Sequence, residues 1–329
     1  MDSLIFALNA VLPIVFTVAV GYLLKRAGLV DGNFIKAANK LVFRVFLPAM
    51  LFLNVYKISD PGSMDLGYVL YAMCALLVLF FVAMLLSGIV TKKAERRGVF
   101  VQAAFRSNFA LVGIPLAEAL FGEEGAAVAT LLSAVLVPAL NVLAVISLSV
   151  FKKGADKPSV KKIVKDIIKN PLIQSIAAGI AALAIRALFQ RVGIGFRLSD
   201  IVPVYKTLTY LSSVATPLAL VMLGAQFEFS AIASLRREII FGTAMRIVFA
   251  PVFGIGVAYL AFADSFSGAH FATFVAMFAT PVAVSSVPMT QEMGGDTALA
   301  GQLVVWTTLL SAFSVFAASF LLKLGGIFG

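Results

Sequence analysis

Charge is what this chain has least of. Asp, Glu, Lys and Arg make up 13% of its 329 residues, where soluble domains carry about 25%. Twenty-six Lys and Arg, sixteen Asp and Glu and one His cannot cover the wet surface of so long a chain. A soluble enzyme, a disordered chain and a coiled coil are thereby excluded. The single cysteine, Cys74, excludes an intramolecular disulfide and a cysteine metal site. It lies inside a long apolar run and is expected to be a buried small hydrophobe. No HExxH, GxSxG or GxxxxGK[ST] pattern occurs, which argues against a hydrolase or an ATPase. No catalytic residue, metal ligand set or cofactor site is expected.

What is present is apolar length. Hydrophobic residues make up 61% of the chain and the mean hydropathy is +1.03, values of an integral membrane protein. A helix needs about 20 apolar residues to cross the hydrocarbon core. Runs at 3–24, 66–91, 125–151, 207–227, 271–291 and 297–322 meet that need. Shorter ones at 170–185 and 247–263 extend past Arg186 and Arg246. Two more are interrupted by charge: 41–56 by Arg44, and 99–121 by Arg106 and Glu118. The sum is ten spans. The first begins with Asp2 and lacks a basic leader, so it is expected to be a retained helix.

The basic residues set an orientation. Lys25, Arg26, Lys36, Lys40 and Arg44 lie between the first two spans; Lys92, Lys93, Arg96 and Arg97 between the third and fourth. Lys152, Lys153, Lys157, Lys161, Lys162, Lys165 and Lys169 form the longest connection, and Arg236 and Arg237 precede the eighth span. All four connections fall on one side, expected to be cytoplasmic. The acidic loops at 60–65, 118–124 and 264 fall opposite; Arg191, Arg197 and Lys206 dissent. Both termini are then extracytoplasmic. The net charge of +10 is thus a topology signal rather than a nucleic-acid signal, with contact to anionic lipid secondary.

The two halves resemble each other. Leu47-Pro48-Ala49-Met50 pairs with Thr216-Pro217-Leu218-Ala219, and Gly113-Ile114-Pro115-Leu116 with Ser286-Val287-Pro288-Met289. The spacing from Pro115 to Gly122 equals that from Pro288 to Gly295. Halves with an odd number of spans enter the membrane from opposite sides, the inverted-repeat layout of secondary transporters. The expected units are 1–151 and 170–329, each a five-helix repeat, joined by a solvated basic linker at 152–169.

Helices broken at corresponding positions of two repeats point to a midplane site. Here they are the fourth and ninth spans, with Gly113, Pro115, Pro281 and Pro288 as breakers. Ser107 or Asn108 is expected to cap the helix after the first break. Thr280 is expected to cap the second, with Pro281 at the first helical position. Freed N–H groups at such ends favour a carboxylate. The candidate substrate-binding residues are Arg106, Ser107, Asn108, Thr280, Pro281, Ala283, Val284, Ser285 and Ser286. Arg106 reads either as a carboxylate clamp or as a snorkelling side chain or half of an ion pair, with Glu118 or Glu292 as partner. Arg246 faces the same choice and leans to a structural role; Arg44 is expected to snorkel. Asn54, Asn141 and Gln226 serve either substrate or helix–helix bonds. His270 is expected at the outer start of the ninth span.

Several motifs resemble the auxin efflux carrier family, notably its bacterial branch of malate and malonate permeases and the plant PIN-type carriers. They are Asn39-Lys40-Leu41-Val42-Phe43 into Leu47-Pro48, Ser107-Asn108 into Gly113-Ile114-Pro115-Leu116, Ala215-Thr216-Pro217-Leu218-Ala219, and Thr280-Pro281-Val282-Ala283-Val284. The resemblance implies an all-α transporter of ten helices in two inverted repeats, like sodium/bile-acid symporters. Spans one, two, six and seven would form a dimerising scaffold; spans three to five and eight to ten would form a moving domain in which four and nine cross. Asn108 would take the place of the family's crossing asparagine and Pro281 that of its crossing proline. Plant members have proline before that asparagine, where this chain has Ser107, preceded by Arg106. The added cation suits a small dicarboxylate rather than auxin. The expected activity is elevator-type transport of an anion such as malate or malonate across a bacterial inner membrane. A sodium-coupled symporter of larger amphipathic anions and an anion channel are the alternatives.

Overall fold

A computed structural model describes residues 2–58, 65–152 and 160–328, with the side chains of 2–11, 160 and 162–163 not described. The acidic Asp60 and the basic Lys153 and Lys157 of the expected loops lie outside these residues, as does the side chain of Asp2. The regular structure of the described residues is all helix, apart from one isolated bridge between Ser107 and Val282.

The helices are α1 (Asp2–Arg26), α2 (Gly32–Leu41), α3 (Leu47–Tyr56), α4 (Leu66–Val90), α5 (Ala94–Phe105), α6 (Ile114–Val150) and α7 (Val160–Lys169). There follow α8 (Pro171–Arg191), α9 (Val202–Ala225), α10 (Ala231–Ala244), α11 (Ala250–Phe262), α12 (Gly268–Phe278), α13 (Ser286–Met293) and α14 (Thr297–Leu324). Among the described residues, seven continuous helical segments are long and apolar enough to cross a membrane. The surface is that of a membrane protein: Phe81, Leu85 and Ile89 of α4 and Leu260 and Phe313 elsewhere stand exposed. Cys74 is exposed too, a correction to its expected burial. On a helix that is apolar all round, a small hydrophobe suits either side.

Proline shapes three of the joints. Wide π-turns at Val42–Phe46, Phe109–Gly113 and Met245–Phe249 each lead into a helix with proline in its first turn: Pro48, Pro115 and Pro251. Proline offers no N–H to the carbonyl four residues back and collides with it, so the preceding turn opens. At Pro251 the abandoned Ile247 carbonyl accepts the Ser314 hydroxyl of α14 at 2.8 Å. A further kink at Phe121–Gly122, where Gly122 takes φ +61°, divides α6.

Helices α1 and α9 cross at contact distance, each glycine against the other's backbone. A Cβ on Gly21 would lie 2.0 Å from the Val221 carbonyl oxygen, and one on Gly224 1.8 Å from that of Val18. Helix α3 packs against α8 and α9; α12 packs against α6, and α10 against α14. The basic connections gather at one end, termed the basic end below. There Arg96 of α5 bridges Glu238 of α10 (3.0 Å) and Asp296 before α14 (2.9 Å), and Arg237 donates to the Ile89 carbonyl. Part of the expected linker is described, and it is helical. Residues 160–169 form a helix because Val164, Ile167 and Ile168 recur at helical spacing among Lys161, Lys165 and Lys169.

Candidate functional site

Two helices break at the same depth and their broken ends cross. Helix α5 ends at Phe105 and α12 at Phe278; the chain resumes as helix at Phe109 and Ser286. Between them, short extended stretches pair antiparallel. Asn108 N–H donates to the Pro281 carbonyl at 2.8 Å, and Ala283 N–H donates to the Arg106 carbonyl at 3.2 Å. Val282 N–H donates to the Thr307 hydroxyl of α14 at 3.1 Å. Each break thereby satisfies part of the other, which hydrocarbon surroundings demand.

The four helix ends are sorted by sign. At the C-terminal ends of α5 and α12, where carbonyls concentrate negative partial charge, lies Arg246, 0% exposed. It donates to the carbonyls of Thr280 (2.8 Å), Met277 (2.6 Å) and Phe105 (3.3 Å). This bears out the structural reading of Arg246. At the N-terminal ends of α6 and α13, of opposite sign, lies Arg106, 2% exposed. Its Nη2 donates to Asn141 Oδ1 (2.8 Å) and Ser285 Oγ (3.0 Å), and its Nη1 to Met289 Sδ (3.2 Å) and Ser286 Oγ (3.4 Å). Every partner is neutral. Among the described residues no carboxylate pairs with Arg106. The expected alternative of an ion pair with Glu118 or Glu292 is corrected: Glu292 pairs with the exposed Arg44 at 3.4 Å.

A cavity of about 180 Å³ opens beside this guanidinium. Of the expected binding residues, Arg106, Ser107, Asn108, Ala283, Val284 and Ser285 line it, joined by Asn54, Asn141 and Thr216. Thr280, Pro281 and Ser286 stand behind the wall; Thr280 and Ser286 are buried, Ser286 against Arg106 and Thr280 against the carbonyl of Ala276. The N–H groups of Phe109, Ala110, Leu111, Val284 and Ser285, all lining residues, meet no acceptor among the described residues. The buried Asn108 Nδ2 and Ser107 Oγ are likewise unpartnered. Donors left over at two helix N-termini, with an unneutralised guanidinium between them, are groups of the kind that donate to an anion with several oxygens.

The capping expectations need correction. Thr280 does not cap a new helix: it closes the old one, its hydroxyl donating to Ala276 at 2.7 Å, and Pro281 leaves in extended form. Helix α13 starts after Ser285, and neither Ser285 nor Asn108 makes a side-chain cap. The breakers Gly113, Pro115 and Pro288 lie within the resumed helical segments, so the breaks fall at 106–108 and 279–285. Sequence reasoning did not place Thr216 or Gln102 at the site. Gln102 sits behind it, bonded by the Thr290 hydroxyl at 3.3 Å and donating to Met289 Sδ at 3.5 Å. Its polarity amid an apolar run was the available signal. His270 is remote, its ring 4.4 Å from that of Tyr68.

A family model described as membrane transport protein matches residues 6–318. An uncharacterized transporter of Methanothermobacter thermautotrophicus is 23% identical over 315 residues, 93% of this chain and 95% of that protein. An uncharacterized transporter of Methanocaldococcus jannaschii is 30% identical over 222 residues, 66% of this chain and 68% of that protein.

Proposed function

Since the chain belongs to the membrane transport protein family, the auxin efflux carrier family of the sequence motifs, we propose that it carries small organic anions by alternating access. The observation that supports this reading is Arg106, a buried guanidinium on a cavity wall whose partners are all neutral. A buried charge without a counter-charge costs several kcal/mol, of order 3 or more, and a site that keeps one is arranged for an anion that arrives. Two helix N-termini and the free amide of Asn108 supply further donors, enough for a dicarboxylate such as malonate or malate.

In this proposal the ten spans form two inverted five-helix repeats, 1–151 and 170–329. The first, second, sixth and seventh spans make a scaffold through which two copies pair. The others make the moving domain, which shifts the crossing between the two faces of the membrane. The basic end faces the cytoplasm and both termini face outward.

The test is a thermal-shift screen of the purified protein against mono- and dicarboxylates, with and without sodium and across pH, followed by uptake into liposomes. Saturable uptake and counterflow of a carboxylate that also raises Tm are expected. No stabilisation by any carboxylate, or thousands of ions per opening in single-channel records, overturns the reading. Uptake that requires sodium and favours larger amphipathic anions replaces it with a sodium symporter.

A further inference from the structure

Helix α13 has anchors at both ends. Its first turn hangs on Arg106 through Ser285, Ser286 and the Met289 sulfur. Its last turn reaches the basic end. There Gln291 Oε1 accepts from Asn39 Nδ2 of α2 at 2.8 Å, and Gln291 Nε2 donates to the Lys36 carbonyl at 3.3 Å. Asn39 Nδ2 also reaches Gln226 Oε1, just after α9, at 3.4 Å, and Glu292 pairs with Arg44. The helix has eight residues, hence a length of about 12 Å, too short to bend between its anchors. It ends at Gly294 with φ +78°, followed by Gly295.

We propose that α13 couples occupancy of the central cavity to a gate at the basic end formed by Asn39, Gln226 and Gln291. The inference rests on the anion-carrier reading. A carboxylate in the cavity is a stronger acceptor for Arg106 than the serine hydroxyls or the thioether. Once the guanidinium turns to it, the first turn of α13 keeps only the longer bonds of Gln102 to Met289 Sδ (3.5 Å) and from the Thr290 hydroxyl (3.3 Å), and the glycine pair at the other end lets the helix tilt. The gate is built to yield. Asn39 Oδ1 and Gln226 Nε2 are buried and unpartnered while it is closed, so opening to water satisfies two atoms that closure leaves bare. Outside it lies a bowl of about 630 Å³ whose wall includes Lys25, Arg26 and Lys36 together with Gln226 and Gln291. Three basic residues against one acid, Glu228, on that wall draw organic anions toward the gate.

The test reads accessibility and so does not depend on which substrate is carried. In a Cys74→Ser background, a reporter Thr216→Cys lines the cavity, and a membrane-impermeant maleimide is applied from the basic end in oriented vesicles. Labelling is expected to be slow. Gln291→Ala should speed it about five-fold, the population change that loss of one net hydrogen bond makes. Ser285→Ala combined with Ser286→Ala, which frees the first turn, should speed it similarly. Unchanged labelling in the Gln291 variant removes the gate, and unchanged labelling in the serine pair removes the coupling. Should either variant fold poorly, Asn39→Cys with Gln291→Cys joined by a short reducible cross-linker gives the converse result. Labelling and malonate uptake should stop, and reductant should restore both; a cross-linked protein still labelled from the basic end overturns the proposal. Absent uptake of every mono- and dicarboxylate screened, with the labelling pattern intact, would refute the carrier reading alone.

Discussion

Asn108 and Pro281 meet at the centre of the molecule, the N–H of the first donating to the carbonyl of the second over 2.8 Å. The return bond, from Ala283 N–H to the Arg106 carbonyl, closes an antiparallel pair between the two breaks. The ends of α5 and α12 and the helical start at Phe109 are thereby tied into one unit. None can shift without breaking a backbone bond in a place where water is not at hand to replace it. A moving domain built around this crossing would move as a body, and the loosened element would be one attached by side chains alone, as α13 is at Arg106 and at Gln291.

Arg246 is the charge that holds the crossing together. Arg246→Ala strips a donor from three buried carbonyls, each worth about 1–3 kcal/mol when left bare. A loss of at least about 3 kcal/mol is expected, read as a large fall in Tm in detergent. Arg246→Lys, a point charge without the planar fork, should fall between. An unchanged Tm for the alanine variant would refute the role.

Arg106 should behave in the opposite sense. Its charge is buried without an acid, so Arg106→Met removes a desolvated cation and replaces it with a side chain of similar length. The expected Tm of the empty protein is no lower than that of the parent. Carboxylate affinity should fall at least about ten-fold, the effect of losing a hydrogen bond to a charged group. Calorimetric titration with malonate checks the second part. A destabilised variant that binds normally would make Arg106 an architectural residue.

These two arginines also show how far the sequence reaches. Both stand out, because an arginine in an apolar run costs about 2.5–3.5 kcal/mol to insert and needs a reason. Which reason is not legible. The acceptors of Arg246 are carbonyls of Phe105, Met277 and Thr280, and a carbonyl carries no residue identity; only packing brings these three together. Thr280-Pro281 is ambiguous in sequence for a related cause. Thr-Pro marks a helix start as readily as a helix end, and the deciding bond to Ala276 lies one turn back. Cys74 shows the limit of hydropathy, since lipid and protein interior are equally apolar. The breaks themselves were legible, because serine, asparagine, glycine and proline cluster where a continuous span needs none.

The α1–α9 crossing gives a steric prediction. Gly21→Ala and Gly224→Ala each place a methyl group against backbone that cannot rotate away, at 2.0 and 1.8 Å. Overpacking of this kind costs about 1–3 kcal/mol, so both variants should lower Tm clearly. Gly256→Ala is the control. Nothing lies within 4 Å of its Cβ position, and the gain in helix propensity of up to about 1 kcal/mol should leave Tm equal or higher. Equal effects at Gly21 and Gly256 would mean that the helices do not touch there.

The joint at Pro251 permits a test by double-mutant cycle. Proline withholds the N–H that Ile247 would receive, and the Ser314 hydroxyl of α14 fills the vacancy at 2.8 Å. Ser314→Ala alone leaves the Ile247 carbonyl bare and should cost about 1 kcal/mol. Pro251→Ala supplies a backbone N–H to the same carbonyl and lets the π-turn tighten toward a regular helix. In that background Ser314→Ala should cost nothing measurable, because the acceptor already has its donor. The expected coupling between the two sites is therefore about 1 kcal/mol, measured from the unfolding midpoints of the four proteins. Additive effects would show that Ser314 packs against α11 without serving the carbonyl. The shape of this joint also matters for Arg246, which sits in the π-turn directly before it. Tightening the turn changes the register of that guanidinium against its three carbonyls, so Pro251→Ala should carry a loss of its own, reduced when Arg246 is already absent.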